Sequence, residues 1–203
     1  MLVAHVLNPQ KGDFIIDTCS APGGKTTHIA ALMNNEGTII AGDIYEHKLK
    51  LINENAHRLG INIIKTQLLD AREVGNFYPN KADKILVDAP CSGLGVLRRK
   101  PDSRWNKTED LLSELPALQL EILNSAALAV KKGGVLVYST CTIMPEENQN
   151  VIDEFLKTHA DFKLDDVHKF LPFKHKDKTK TLQLMPHIDH TDGFFIARLI
   201  RNA

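Results

Sequence analysis

Three features of this 203-residue chain have the residue types that chemistry requires. They are a glycine turn in DTCSAPGGKTTH (17–28), carboxylates at Asp43, Asp70 and Asp88, and cysteines at positions 19, 91 and 141. The turn ends like a phosphate-binding loop, with Gly24-Lys25-Thr26. That loop needs G-x-x-x-x-G-K-[ST], and its first glycine falls at position 19, where Cys19 stands. The dinucleotide fingerprint G-x-G-x-x-G fails too, because only the adjacent pair Gly23-Gly24 is present. What remains is a strand, a tight turn and a helix. Twenty residues after Gly23, Asp43 ends a second apolar run. An acid at that place in an open α/β sheet accepts both hydroxyls of a ribose. Asp70 and Asp88 follow two further runs. Each acid alone reads as a cap or turn residue. Together they repel a triphosphate and suit a ligand with a ribose, an adenine amino group and a positive centre, which describes S-adenosylmethionine.

The cysteines share a placement: Cys19 follows FIID, Cys91 follows KILVDAP and Cys141 follows GVLVYST. A lone cysteine at a strand end reads as a small buried hydrophobe. Three are too few and too scattered for a disulfide framework or a zinc site. They suit reduced thiols in a cytosolic protein.

Elements that could carry these residues alternate along the chain. Strands are expected at Phe14–Asp17, 38–42, 61–68, 84–87, 135–139 and 194–199. Helices are expected at 25–33, at 46–59 with Leu49, Ile52, Ala56 and Leu59 on one face, from Pro116 to about Val130, and from Pro145 onward. Segment 169–180 is lysine-rich and reads as an exposed loop. Alternation of this kind predicts one α/β domain, with a mainly parallel sheet covered on both faces.

Lysine plus arginine total 25, and so do aspartate plus glutamate, giving zero net charge. That excludes a chain that coats nucleic acid non-specifically. The local cluster Arg98, Arg99, Lys100 and Arg104 reads on charge alone as a solvated loop. No apolar run reaches membrane-spanning length, and the N-terminus has no leader pattern. His187, His190 and Asp192 have loosely metal-like spacing without a fourth ligand, so they read as loop residues and no metal is expected.

Five blocks, DTCSAPGGKTTHIA, LLDAR, VDAPCSGLGVLRRKPDSRW, VYSTCTIMPEENQNVI and DGFFIARL, resemble the RNA (cytosine-5) methyltransferases of the Sun/Fmu/RsmB type, bacterial enzymes acting on small-subunit (16S) ribosomal RNA. The resemblance runs from about Met1 to Arg201, with DAPCSG and STC about fifty residues apart as its most specific pair. It implies a Rossmann-like class I methyltransferase fold, a seven-stranded sheet with an antiparallel last strand. It also implies S-adenosylmethionine as cofactor, with Cys19, Ser20, Ala21, Pro22, Gly23, Gly24 and Lys25 around its methionine part. Asp43 would bind the ribose, Asp70 would lie beside the adenine, and Asp88 would face both cytosine and cofactor. The helical RNA-binding domain that usually precedes this catalytic unit has no counterpart here, so the chain resembles a catalytic core.

Cytosine carbon 5 is a poor nucleophile until a thiolate adds to carbon 6. Cys91 and Cys141 are the two candidates, and chemistry alone does not choose between them. The resemblance assigns the attack to Cys141 and product release to Cys91. Cys19 keeps its bland reading as a packed turn residue. Lys25 is expected either to lower a thiol pKa or to form an ion pair with Asp88 or Asp17. With the motif in view, Arg98, Arg99, Lys100 and Arg104 become expected phosphate contacts near a flipped base. Trp105 is expected either to stack on a base or, as is usual, to be buried.

Overall fold

The computed structural model describes residues 1–106, 109–176 and 179–202. Helix α1 (Leu2–Leu7) precedes strand β1 (Phe14–Asp17), α2 (Gly24–Leu32), β2 (Thr38–Asp43), α3 (Glu46–Arg58) and β3 (Ile64–Leu68). Helix α4 (Val74–Phe77), β4 (Ala82–Asp88), α5 (Glu109–Ala129) and β5 (Val130–Thr140) form the middle. Helix α6 (Gln149–Thr158), β6 (Phe162–Asp165), β7 (Leu182–Leu184), α7 (Pro186–Asp189) and β8 (Phe194–Arg201) complete the chain.

The sheet runs β3-β2-β1-β4-β5-β8-β6, with β7 added alongside β8. Strands β3, β2, β1, β4 and β5 are parallel, and β8 is antiparallel to its neighbours. The expected seven-stranded path with one reversed strand is present, and the three-residue β7 makes an eighth. Strand β1 joins β2 on one side and lies against β4 on the other, so the strand order, which runs outward from β1 to β3, reverses direction between β1 and β4. Ligands in open α/β sheets bind outside the carboxyl ends of the strands at such a point.

Central strands are buried on both faces, which is why they read as continuous apolar runs. One core packs α5 and α6 on the sheet, with Ile85, Leu123, Tyr138 and Phe155 at its centre. The other packs α1 and α2 on the opposite face, around Ile15, Ile29, Leu86 and Val137.

Several boundaries differ from the sequence pattern. Helix α5 begins at Glu109 and runs through Pro116 instead of starting there. Strand β5 begins at Val130, because a register shift opposite Ala82 and Lys84 absorbs the Gly133-Gly134 pair. Leu59, expected on the buried face of α3, is 50% exposed, since the helix ends one residue earlier. The expected 169–180 loop is preceded by β6, a short antiparallel strand with no alternation long enough to read. Helix α1 also escaped the pattern. It is six residues long and depends on tertiary contact: the buried Arg198 guanidinium donates to the carbonyls of Val6 (2.7 Å) and Leu7 (3.2 Å). No helix among the described residues is long and apolar enough to cross a membrane.

Candidate active site

The glycine turn leaves β1 at Asp17 and enters α2 at Gly24. Ser20 holds it to the end of β2, donating from both N (2.9 Å) and Oγ (2.7 Å) to the Gly42 carbonyl. Gly23 has φ of 100°, and a Cβ there would meet Ile52 Cα at 3.2 Å, so the position requires glycine on both counts. Asp17 is 1% exposed; Thr26 Oγ1 donates to its Oδ2 at 2.7 Å, while Oδ1 has no protein partner. Burial raises the Asp17 pKa to about 7.

Two cavities meet at Cys19, Ala21 and Asp88. The first, of about 530 Å³, is lined by Asp43, Asp70, Tyr45, Leu69, Pro90 and Ile122. Asp43 is buried, and its Oδ1 accepts the Tyr45 N–H at 3.0 Å. Asp70 is bridged by Arg72, which holds its carboxyl below the ordinary range. The second cavity runs past Lys25, His28 and Phe194 toward Arg99 and Asp192. Burial pushes the Cys19 thiol up to about 12, which suits a packed wall residue.

Asp88 ends β4 between these cavities. Lys25 Nζ donates to its Oδ2 at 2.7 Å and Ser139 Oγ to its Oδ1 at 2.7 Å. Residue 139 reaches it because Asp88 and Ser139 are register partners in the parallel β4–β5 pair. Of the partners expected for Lys25, the structure selects Asp88. Burial lowers the Lys25 pKa, but the Asp88 carboxylate outweighs it and the net shift is upward.

Beyond these strand ends the two sulfurs of Cys91 and Cys141 lie 3.3 Å apart, and the Cys141 N–H points at Cys91 Sγ at 3.3 Å. Hydrogen bonding from Cys91 lowers the Cys141 pKa to about 7 against burial and the Asp88 charge, with help from Lys25. Cys91 is pushed upward by that same hydrogen bond and by burial. All three cysteines are free thiols.

The loops carrying this pair are joined at two glycines. Gly95 N donates to the Cys141 carbonyl at 3.0 Å, and Gly193 N donates to the Gly95 carbonyl at 2.8 Å. Next to them, Arg98 and Arg99 both grip Asp192, at 3.1 and 2.5 Å. Lys100 lies in the same segment; the side chain of Arg104 is outside the described residues. Trp105 is 75% exposed, so its usual buried fate does not apply. Among the described residues no cluster of metal-ligating side chains occurs.

The pattern of isolated motifs gave no sign of Gln119, Glu147 or Asn148, all buried polar residues around the cysteine loops. The clue was PEEN itself: Glu147 and Asn148 are polar residues immediately before the buried face of α6.

This sheet order, with a glycine turn at the switch point and acids ending β2 and β4, defines the fold of S-adenosylmethionine-dependent methyltransferases. Residues 4–200 match the family described as 16S rRNA methyltransferase RsmB/F, and the chain belongs to that family. A probable ribosomal RNA small subunit methyltransferase B from Bacillus subtilis (strain 168) is 48% identical over 203 residues, covering 98% of this chain and 45% of the relative. The chain thus spans about half the length of the curated relatives it matches. The crystal structure of PH0851 superposes with a TM-score of 0.91 at 42% identity, covering 98% of this chain and 45% of that one. NSun6 from Pyrococcus horikoshii, solved with SFG, gives a TM-score of 0.88 at 38% identity, covering 100% and 51%.

Proposed function

We propose that this chain is the catalytic part of an enzyme that methylates carbon 5 of a cytidine in small-subunit ribosomal RNA through a covalent cysteine adduct. The observation that carries the reading is the sulfur pair 3.3 Å apart, beyond a carboxylate held by Lys25 and Ser139. Family membership supports the ribosomal substrate.

The first cavity fits the cofactor. Its acids suit a ribose and a cationic centre, and its apolar wall of Leu69, Pro90 and Ile122 suits a flat base. Asp43 would hold the ribose, Asp70 would sit at the adenine end, and Cys19 to Lys25 would enclose the methionine part. When bound, S-adenosylmethionine supplies an electrophilic methyl group. Cys141, the thiol with the lowered pKa, adds to carbon 6 of the cytosine and makes carbon 5 nucleophilic. Asp88 accepts a hydrogen bond from the exocyclic amine, and Lys25 keeps that carboxylate in place. Cys91 donates its S–H to the resting Cys141 thiolate and serves in release. Water takes the carbon 5 proton, the ring double bond re-forms, and the Cys141–carbon 6 bond breaks with its electron pair returning to sulfur. The Cys91 S–H stabilises the departing thiolate. Arg98, Arg99, Lys100 and Arg104 would take RNA phosphates beside the flipped nucleotide.

The test is transfer of labelled methyl to unmethylated 16S ribosomal RNA, with digestion to nucleosides. Label in 5-methylcytidine, lost in Cys141→Ala together with the RNA adduct, is the expected result. Label in another nucleoside, or an adduct formed by Cys141→Ala and absent from Cys91→Ala, refutes the assignment. The same label appearing only with transfer RNA moves the substrate and leaves the chemistry.

A further inference from the structure

Two chemically identical thiols face each other, so something must make one the donor and the other the attacker. Lys25 accounts for part of that, on the Cys141 side. On the Cys91 side lies a buried carboxylate. Glu147 is 1% exposed, and no ion pair among the described residues includes it. Its Oε2 accepts the N–H of Ser92 at 2.8 Å and Gln119 Nε2 at 2.9 Å. Gln119, itself fully buried, also donates Nε2 to the Pro90 carbonyl at 2.9 Å. The residues on both sides of Cys91 are therefore tied to one network. Its own backbone is fixed as well, because Tyr138 Oη donates to the Glu147 carbonyl at 2.6 Å. Ser92 Oγ and Thr142 Oγ1, 2.8 Å apart, lock the two cysteine loops together.

Burying a carboxylate with no counter-charge is costly, and packing alone favours an apolar residue of similar size. The orphaned Oε1 atoms of Glu147 and Gln119 add to that cost. We infer that Glu147, with Gln119, is a positioning residue for Cys91, holding segment 90–92 so that the Cys91 thiol meets Cys141 and acts in product release. The inference rests on the two-cysteine reading above. It adds that release, more than attack, depends on a residue that touches neither substrate nor cofactor.

The experiment follows the covalent RNA adduct on denaturing gels for wild type, Cys91→Ala, Glu147→Leu, Glu147→Gln and Gln119→Met, with S-adenosylmethionine binding measured alongside. Glu147→Leu is expected to form the adduct, keep cofactor affinity, and release product about tenfold more slowly or worse, the scale of one lost buried hydrogen bond. Glu147→Gln keeps an acceptor for the Ser92 N–H and should recover much of the release rate. Gln119→Met loses the Pro90 tie and carries the test if Glu147→Leu does not fold; it too should accumulate adduct. Release at the wild-type rate in Glu147→Leu, or in Gln119→Met where that variant carries the test, overturns the inference. Equal loss of attack and release in the folded variants overturns it also. If Cys91→Ala accumulates no adduct, the two-cysteine reading falls and takes this inference with it.

Discussion

Replacing Cys91 by alanine removes the hydrogen bond that most lowers the Cys141 pKa. With a pKa of about 7, roughly half of Cys141 is thiolate at pH 7. At the ordinary thiol value of 9.0 the fraction is about 1%, some fiftyfold less. A less acidic thiol is a better nucleophile, however. With a Brønsted slope of about 0.45, two pKa units return about eightfold. Adduct formation by Cys91→Ala should therefore be about sixfold slower than wild type at pH 7, equal near pH 8, and about eightfold faster above pH 10. The assay is single-turnover adduct formation by quenched-flow and denaturing gel from pH 6 to 10, which leaves the slow release step out of the rate. Two crossing curves are the signature. A limb that stays near pH 7 in Cys91→Ala would show that the Cys91 S–H does not tune the nucleophile, whatever it does later.

Asp43→Ala removes the buried acid at the end of β2 and should weaken S-adenosylmethionine binding about 10- to 150-fold, the range for a hydrogen bond to a charged group; calorimetric titration measures it, and unchanged affinity sinks the ribose assignment. Gly95→Ala drives a methyl into the Gly193 carbonyl oxygen and places it 2.8 Å from that of Cys141. It should cost adduct formation at least about 100-fold while cofactor binding persists, because the clash lies at the cysteine loops and not at the turn. Asp17 makes stability pH-dependent in a direction fixed by its raised pKa. The folded state keeps a proton that the unfolded chain loses above about pH 4, so this group's contribution falls as pH rises toward 7 and is flat beyond. Asp17→Asn should remove that fall, gaining on wild type by about 3 kcal/mol between pH 5 and 8 in urea denaturation; parallel pH profiles for the two proteins would refute the buried, protonated Asp17.

Local pattern made the cofactor end of the site legible. The glycine turn at 23–24, the acid Asp43 and the strand ends before Cys91 and Cys141 all follow from apolar runs and their breakers, which act over a few residues. Both cysteines and Asp88 were therefore visible as candidates, but not their roles. Those depend on distances that only chain folding supplies. Sequence left the partner of Lys25 open, and the side-by-side placement of β1 and β4 brings it to Asp88, 63 residues away. Ser139 meets the same acid through strand register. The 3.3 Å sulfur contact spans 50 residues and is set by glycines that let three loops touch backbone to backbone. Glu147 and Gln119 carry no periodic signal, since a buried polar residue is recognised by its partners and not by its spacing. Helix α1 was unreadable for the same reason: six residues form too short a helix to stand alone, and Arg198, 192 residues away from Val6, secures its end. Sequence by itself determined which residues could do the chemistry, because residue type and local spacing are properties of short segments. Tertiary structure decided which thiols meet and which acid the lysine holds, because electrostatics and hydrogen bonding act over a few ångströms of space, whatever the separation along the chain.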